Sequence, residues 1–240
     1  MSVKPLSQLS VKIFADGAVK SEMVEMYRNP LIKGFTTNPT LMRKAGINDY
    51  KAFALDVLQV ICDRPISFEV FSDELEEMKR QALLIRDWGK NVYVKIPVTN
   101  TRNESTTGLV RELSLAGVQL NITAMMTFEQ IARMSKALQG GAPAFLSLFA
   151  GRVADTGCDP VPIMRAAAQL LRQQPGQELI WASPRELLNV FQADEIGCHV
   201  ITVTMDILKK LHLVGKDLDE FSLETVKMFR DDAQKAGYQL

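Results

Sequence analysis

Short β-branched runs alternate with longer amphipathic segments through nearly the whole chain, and this rhythm restricts the possible folds more than any other feature. Strands are predicted near 12–16 (KIFAD), 34–37 (GFTT), 66–71 (ISFEVF), 92–97 (VYVKIP), 120–125 (LNITAM), 144–150 (AFLSLFA), 179–183 (LIWAS) and 200–204 (VITVT). Their starts lie roughly 21 to 35 residues apart, enough for a helix that carries the chain back to a parallel neighbour. In 73–88, Leu75, Met78, Ala82 and Ile85 recur at helical spacing. Thr127-Phe-Glu-Gln130 and Ser183-Pro-Arg-Glu186 read as capping boxes, with Pro184 at the favoured first helical position.

Eight strands, seven or more helices and no low-complexity linker predict an α/β protein with one domain over 1–240, a closed (β/α)8 TIM barrel spanning 11–217. A further helix over 219–237 carries Leu223, Val226, Phe229 and Ala233 on one face. It belongs to an extension, 218–240, that covers either a barrel end or a neighbouring subunit. An open doubly wound sheet is the competing architecture. No GxGxxG follows the first strand and no GxxxxGK(S/T) occurs, so the nucleotide sites that usually accompany that fold are missing.

Composition narrows the partners. Lys plus Arg and Asp plus Glu number 28 each, so no global field steers nucleic acid or anionic lipid, and a bound anion must be held by a few local cations. Cys62, Cys158 and Cys198 are odd in number and lack CxxC spacing, which points to a reducing compartment. His199 and His212 form no HxxxH or HExxH pattern, so no metal site is expected. The N-terminus shows no signal-peptide core and no apolar run reaches the length of a membrane span, so a cytoplasmic protein is expected.

Lys95 stands out against this background, because it lies inside the apolar run Val92-Tyr93-Val94-Lys95-Ile96-Pro97. Burial disfavours an ammonium, and a lysine so placed can act as a neutral amine that attacks a carbonyl to form a Schiff base. The alternative is a side chain that snorkels to water from the strand end.

In a barrel, reactive groups gather at the C-terminal ends of the strands. There the sequence places Asp16, Thr36, Thr37, Asn38, Glu69, Lys95, Thr123, Ser147, Arg152, Ser183 and Arg185. Asp16 reads either as a site carboxylate or as the N-cap of a helix starting at Ala18. Glu69, a carboxylate within an apolar strand, must be accounted for by a partner or by chemistry. It can form an ion pair with a lysine, or relay protons during Schiff-base chemistry. Asn38 is expected to be extended because Pro39 follows it. Thr123 is either a site hydroxyl or a β-branched filler. Tyr93, Lys95 and Pro97 share one strand face, as do Ser147 and Phe149. Arg185, in the first turn of a helix capped by Ser183, forms an anion site with the free N–H groups there, and Arg152 closes it from the neighbouring strand.

In their order, Phe14-Ala-Asp16, Gly34-Phe-Thr-Thr-Asn-Pro39, Val94-Lys-Ile-Pro97, Asn121-Ile-Thr123, Ser147-Leu-Phe-Ala-Gly-Arg152 and Ala182-Ser183-x-Arg185 resemble the strand-end motifs of the transaldolases. The likeness covers essentially the whole barrel, and the chain length resembles the small transaldolase and fructose-6-phosphate aldolase branch. That branch often forms large ring-based oligomers with C-terminal helices packed across subunits, which implies a homo-oligomer such as a pentamer or decamer. The resemblance implies transfer of a dihydroxyacetone unit from a ketose phosphate (sedoheptulose 7-phosphate or fructose 6-phosphate) to an aldose phosphate, without a cofactor. Lys95 would form the Schiff base, Glu69 and Thr123 would shuttle protons through a water, and Asp16 would take the C4 hydroxyl proton. Asn38 and Ser147 would hold the dihydroxyacetone unit and Arg152 and Arg185 the phosphate, with Thr36, Phe149 and Ser183 also lining the substrate site.

Two positions bear on transfer against simple aldol cleavage. Fructose-6-phosphate aldolases have glutamine in the place of Glu69 and tyrosine in the place of Phe149, and this chain has the transaldolase choice at both. A phenyl ring lacks the hydroxyl that would position a hydrolytic water. Leu148 and Pro184 depart from the family's usual proline and phenylalanine, beside the expected phosphate pocket, which leaves a sulfosugar as another substrate anion. An aldolase releasing free dihydroxyacetone and a non-catalytic sugar-phosphate-binding barrel are the rival readings.

Overall fold

Every predicted strand forms. The eight pair in parallel, each with its neighbour in sequence and the last with the first, and so close a barrel. Residues 3–239 are described by the structure, a computed structural model. The first half runs β1 (Lys12–Asp16), α1 (Lys20–Arg28), β2 (Ile32–Thr36), α2 (Pro39–Lys44), α3 (Tyr50–Leu58), β3 (Ile66–Glu69), α4 (Leu75–Arg86), β4 (Val92–Pro97) and α5 (Thr107–Leu115). The second half runs β5 (Leu120–Met125), α6 (Phe128–Ala137), β6 (Ala144–Leu148), α7 (Ala150–Ala154), α8 (Val161–Leu171), β7 (Gln177–Trp181), α9 (Leu188–Glu195), β8 (Val200–Thr204), α10 (Met205–Leu208) and α11 (Leu218–Ala236).

Strand alternation divides the apolar residues between two cores. Ile13, Phe35, Phe68, Val94, Ile122, Leu146, Leu179 and Ile201 face outward and pack under the helices, where α4 contributes Met78, Ala82 and Ile85 as its spacing predicts. Phe14, Tyr93, Phe145, Ile180 and Val200 face inward and fill the barrel. Phe14 meets Phe145 edge to face at 5.5 Å, which adds roughly 0.5–1.5 kcal/mol to the burial of the two rings. Gly34 makes room for that pair: a Cβ there would lie 2.5 Å from the Phe14 ring. The barrel floor is thereby plugged, and the mouth at the C-terminal strand ends stays open.

The helix starts suggested by the sequence are realised only in part. Thr127 and Gln130 form the predicted capping box of α6, and Asn38, extended as expected before Pro39, caps α2 by accepting from Leu41 N–H at 3.0 Å. The predicted box at Ser183-Pro184-Arg185-Glu186 does not form. β7 ends at Trp181, Ser183 lies at φ +59°, and α9 begins only at Leu188. A left-handed residue cannot take the extended conformation of an N-cap. The N–H groups of Arg185 and Glu186 go instead to Oδ1 of Asn189, at 2.8 and 3.2 Å. Asp16 is no N-cap either, since α1 begins at Lys20 without a side-chain cap.

Candidate active site

Lys95 does not snorkel. Its side chain points into the barrel mouth, the residue is 6% exposed, and Nζ lies 3.0 Å from the Glu69 carboxylate. The ammonium also donates to the Thr37 carbonyl at 2.9 Å. Strand register brings the pair together, because Glu69 and Lys95 are directly opposed on β3 and β4. The buried ammonium and the half-buried carboxylate offset one another, which is the condition under which such a charge is tolerated away from water. The lysine is therefore ion-paired, where its strand alone left open a neutral amine or a side chain snorkelling to water.

Asp16 stands at the end of β1, low in the mouth, and accepts from the Thr36 hydroxyl at 2.7 Å. Thr36 Oγ1 is in turn in hydrogen-bond contact with Thr202 Oγ1 from β8. Burial holds the Asp16 carboxyl above its ordinary value of 3.8; the charge of Lys95 and the Thr36 hydrogen bond pull it back, and Glu69 adds a smaller upward push. A carboxylate whose hold on a proton is strengthened in this way suits general acid–base work near neutral pH.

On the other side, Ser147 donates to Asn121 Oδ1 at 2.7 Å, and Asn121 Nδ2 donates to Ser67 Oγ at 3.0 Å. The three residues come from β6, β5 and β3 and form a buried polar bridge beneath the lysine. Thr123 Oγ1 is buried and has no protein partner, an arrangement that asks for a ligand or a water. Next to it, Ala124 adopts φ +61° where the β5–β6 ladder shifts register. A non-glycine residue held there, like Ser183 across the mouth, is strain of the kind that clusters at functional sites.

One cavity of about 590 Å³ is lined by Asp16, Thr36, Glu69, Lys95, Thr123 and Ser147, and it also takes in Asn38, Phe149, Arg152, Ser183 and Arg185. All eleven residues to which the family resemblance gives a role thus converge. The two arginines differ in how they are held there. Arg185 is gripped by Asp155, with Nε 2.9 Å from Oδ1 and Nη2 on Oδ2. Arg152, on α7, pairs with no carboxylate among the described residues and is the less compensated cation. Close approach of the two loops depends on Gly151, where a Cβ would lie 1.5 Å from the Ser183 carbonyl oxygen.

Some contributors escape the strand-end survey. Asn121, Ser67 and Thr202 sit one step inside the strands, and the period-two rule that pairs Asn121 with Thr123 and Thr202 with Thr204 was the available signal. Asp155 lies on no strand, and nothing in its local sequence marks it.

A closed (β/α)8 barrel whose mouth gathers a buried lysine, two carboxylates and a polar ring has the form of a TIM-barrel enzyme. The sequence profile described as Transaldolase/Fructose-6-phosphate aldolase matches residues 13–240, and the chain belongs to that family. A probable transaldolase of Thermoanaerobacter is 32% identical over 231 residues, covering 96% of this chain and 100% of its own. A protein of Listeria monocytogenes called probable transaldolase 2 is 33% identical over 234 residues, covering 95% and 100%. Among solved structures, a putative lyase/mutase and an HpcH/HpaI aldolase/citrate lyase family protein, both from Burkholderia cenocepacia, superpose with TM-scores of 0.58. Their identities are 12% and 14%; the first match covers 97% of this chain and 86% of the other, the second 91% and 95%. At that distance they share the fold alone.

Proposed function

We propose that the protein is a transaldolase that moves a dihydroxyacetone unit from a ketose phosphate, such as sedoheptulose 7-phosphate or fructose 6-phosphate, to an aldose phosphate. The observation that carries this reading is the pairing of buried Lys95 with Glu69 on a cavity that also holds Asp16 and Thr123. Glu69 accepts the proton that frees the amine, and Nζ adds to the C2 carbonyl. The carbinolamine loses water, with Glu69 and Thr123 passing the proton, and leaves an iminium on Lys95. Asp16 takes the C4 hydroxyl proton, the C3–C4 bond breaks, and its electron pair collapses into an enamine as the aldose phosphate departs. Attack of the enamine carbon on the acceptor aldehyde, with Asp16 returning the proton, reverses these steps on the new sugar.

Asn38 and the Ser147–Asn121–Ser67 bridge are placed to orient the hydroxyls of the retained unit. Arg152, with Arg185 as an aligned donor, takes the phosphate. Phe149 presents no hydroxyl to a water, which favours survival of the enamine until an acceptor arrives. The partner of this reading is a second copy of the chain: α11 buries none of its residues within the protomer, and Phe221, Leu223, Val226, Met228 and Phe229 are exposed along it. None of the helices among the described residues is long and apolar enough to cross a membrane. The reading places the protein in the cytoplasm, where its phosphorylated substrates occur.

Incubation with fructose 6-phosphate, with and without erythrose 4-phosphate, tests the function. Consumption that depends on the acceptor supports transfer, and acceptor-independent release of dihydroxyacetone would replace it with aldol cleavage. Borohydride reduction during turnover must add mass to the peptide carrying Lys95. Absence of that adduct would leave only a sugar-phosphate-binding barrel.

A further inference from the structure

Glu69 ends β3 at a point where the β2–β3 ladder has run out. The two strands pair through Phe35 with Ile66 and Thr36 with Ser67, and the Thr37 N–H still reaches the Ser67 carbonyl at 3.2 Å. One more step of a parallel ladder would send the Glu69 N–H to the Thr37 carbonyl and an N–H of residue 39 to the Glu69 carbonyl. Residue 39 is proline and has no N–H, and Asn38 has already turned to cap α2. The two backbone groups of Glu69 therefore need partners from elsewhere.

One hydroxyl supplies both. Tyr50 Oη accepts from the Glu69 N–H at 2.7 Å and donates to the Glu69 carbonyl at 2.9 Å. The Thr37 carbonyl, released from the ladder, is the group that accepts from the Lys95 ammonium at 2.9 Å. Tyr50 is itself held firmly: it is the first residue of α3, and its ring packs against Phe68, Phe71 and Trp88 with centroids 5.6 to 6.2 Å away. Burial holds its hydroxyl far above its ordinary value, so it stays neutral and keeps its proton to donate.

We propose that Tyr50 is a positioning residue for the reaction: its hydroxyl replaces the missing ladder partner of Glu69, fixing that carboxylate beside Lys95 and freeing the Thr37 carbonyl to orient the amine. Tyr50 does not line the cavity and touches no reacting atom, so it acts through Glu69 and Lys95. The role rests on the Schiff-base reading above.

The test is a double-mutant cycle of Tyr50→Phe and Glu69→Gln in the full chain. It is read as the rate at which borohydride traps a fructose 6-phosphate adduct on Lys95. Tyr50→Phe keeps the ring packing, and it is expected to slow trapping about 10- to 100-fold, the scale of an ångström-sized misplacement, with little change in the donor KM. The double variant should be no slower than Glu69→Gln alone, because the tyrosine acts through the carboxylate. Trp88→Phe loosens the same aromatic cluster without touching the hydroxyl, and should leave the rate per folded molecule near that of wild type. A wild-type rate in Tyr50→Phe, or two losses that multiply independently, would overturn the positioning role. Should wild type trap no ketose adduct, the transfer reading itself fails. The same cycle is then read on reductive methylation of Lys95 by formaldehyde, which needs only the amine and its neighbours, and independent effects there overturn the proposal equally.

Discussion

At the scale of single residues, the site is a set of charges and hydroxyls kept where they are not most stable. Asp16 shows the cost most directly. Its carboxyl is held above 3.8 by burial, so between that value and the higher folded one the unfolded chain releases a proton that the native protein retains. Stability attributable to this group is full below 3.8, falls as pH rises through the window, and stays reduced above it. Asp16→Asn removes the charge and keeps the shape. It should raise the melting temperature at pH 7, with the gain shrinking on acidification, while turnover falls at least about 100-fold for want of the base. A melting temperature that is unchanged or lower in thermal unfolding followed by circular dichroism would refute the burial argument. Lys95→Ala should abolish turnover and leave a folded but less stable barrel, because the half-buried Glu69 loses its counter-charge. Adding Glu69→Gln should recover most of that loss in urea unfolding. Failure to recover would mean that lysine packing, rather than the pair, supports the fold.

At the scale of elements, the geometry of the mouth is set by what happens just beyond the strands. Each strand is legible in the sequence to within two or three residues, since alternating apolar residues report burial directly. The exit from β7 is not. There a serine, a proline and a glutamate imitate a helix start, but Ser183 lies in the left-handed region against α7 and α9 begins only at Leu188. Gly151 is the other side of that contact. Gly151→Ala would place a methyl 1.5 Å from the Ser183 oxygen. α7, which carries Arg152, must then move away from the Arg185 loop. The expected result is a loss of roughly 1–3 kcal/mol of stability, together with a KM for the ketose phosphate that rises more than kcat falls. Steady-state kinetics with phosphorylated and unphosphorylated donors checks this, because only the phosphorylated donor should be penalised.

At the scale of the whole molecule, a barrel that closes through β1 and β8 has no sheet edge to offer a partner. A cluster of exposed apolar residues lies on α11, which begins at an Asp217 cap, ends at Gly237 with φ +68°, and buries none of its residues. On the proposed reading, a second copy of the chain covers the apolar face of this 19-residue helix. Phe229→Glu should therefore shift the protein to a smaller species in light scattering coupled to size exclusion, with the barrel still folded. An unchanged mass would remove α11 from any interface between copies.

The eight-unit rhythm, the lysine in an apolar strand and the carboxylates at strand ends are local facts, and the sequence by itself determined them: periodicity is a property of neighbouring residues. Tertiary structure alone decided how those groups meet. Register set Glu69 against Lys95, Asp155 took up Arg185 across thirty positions of chain, and Tyr50 closed a ladder that Pro39 had broken. Each of these contacts joins residues far apart in sequence, and their distances follow from how the barrel closes and not from any segment read alone.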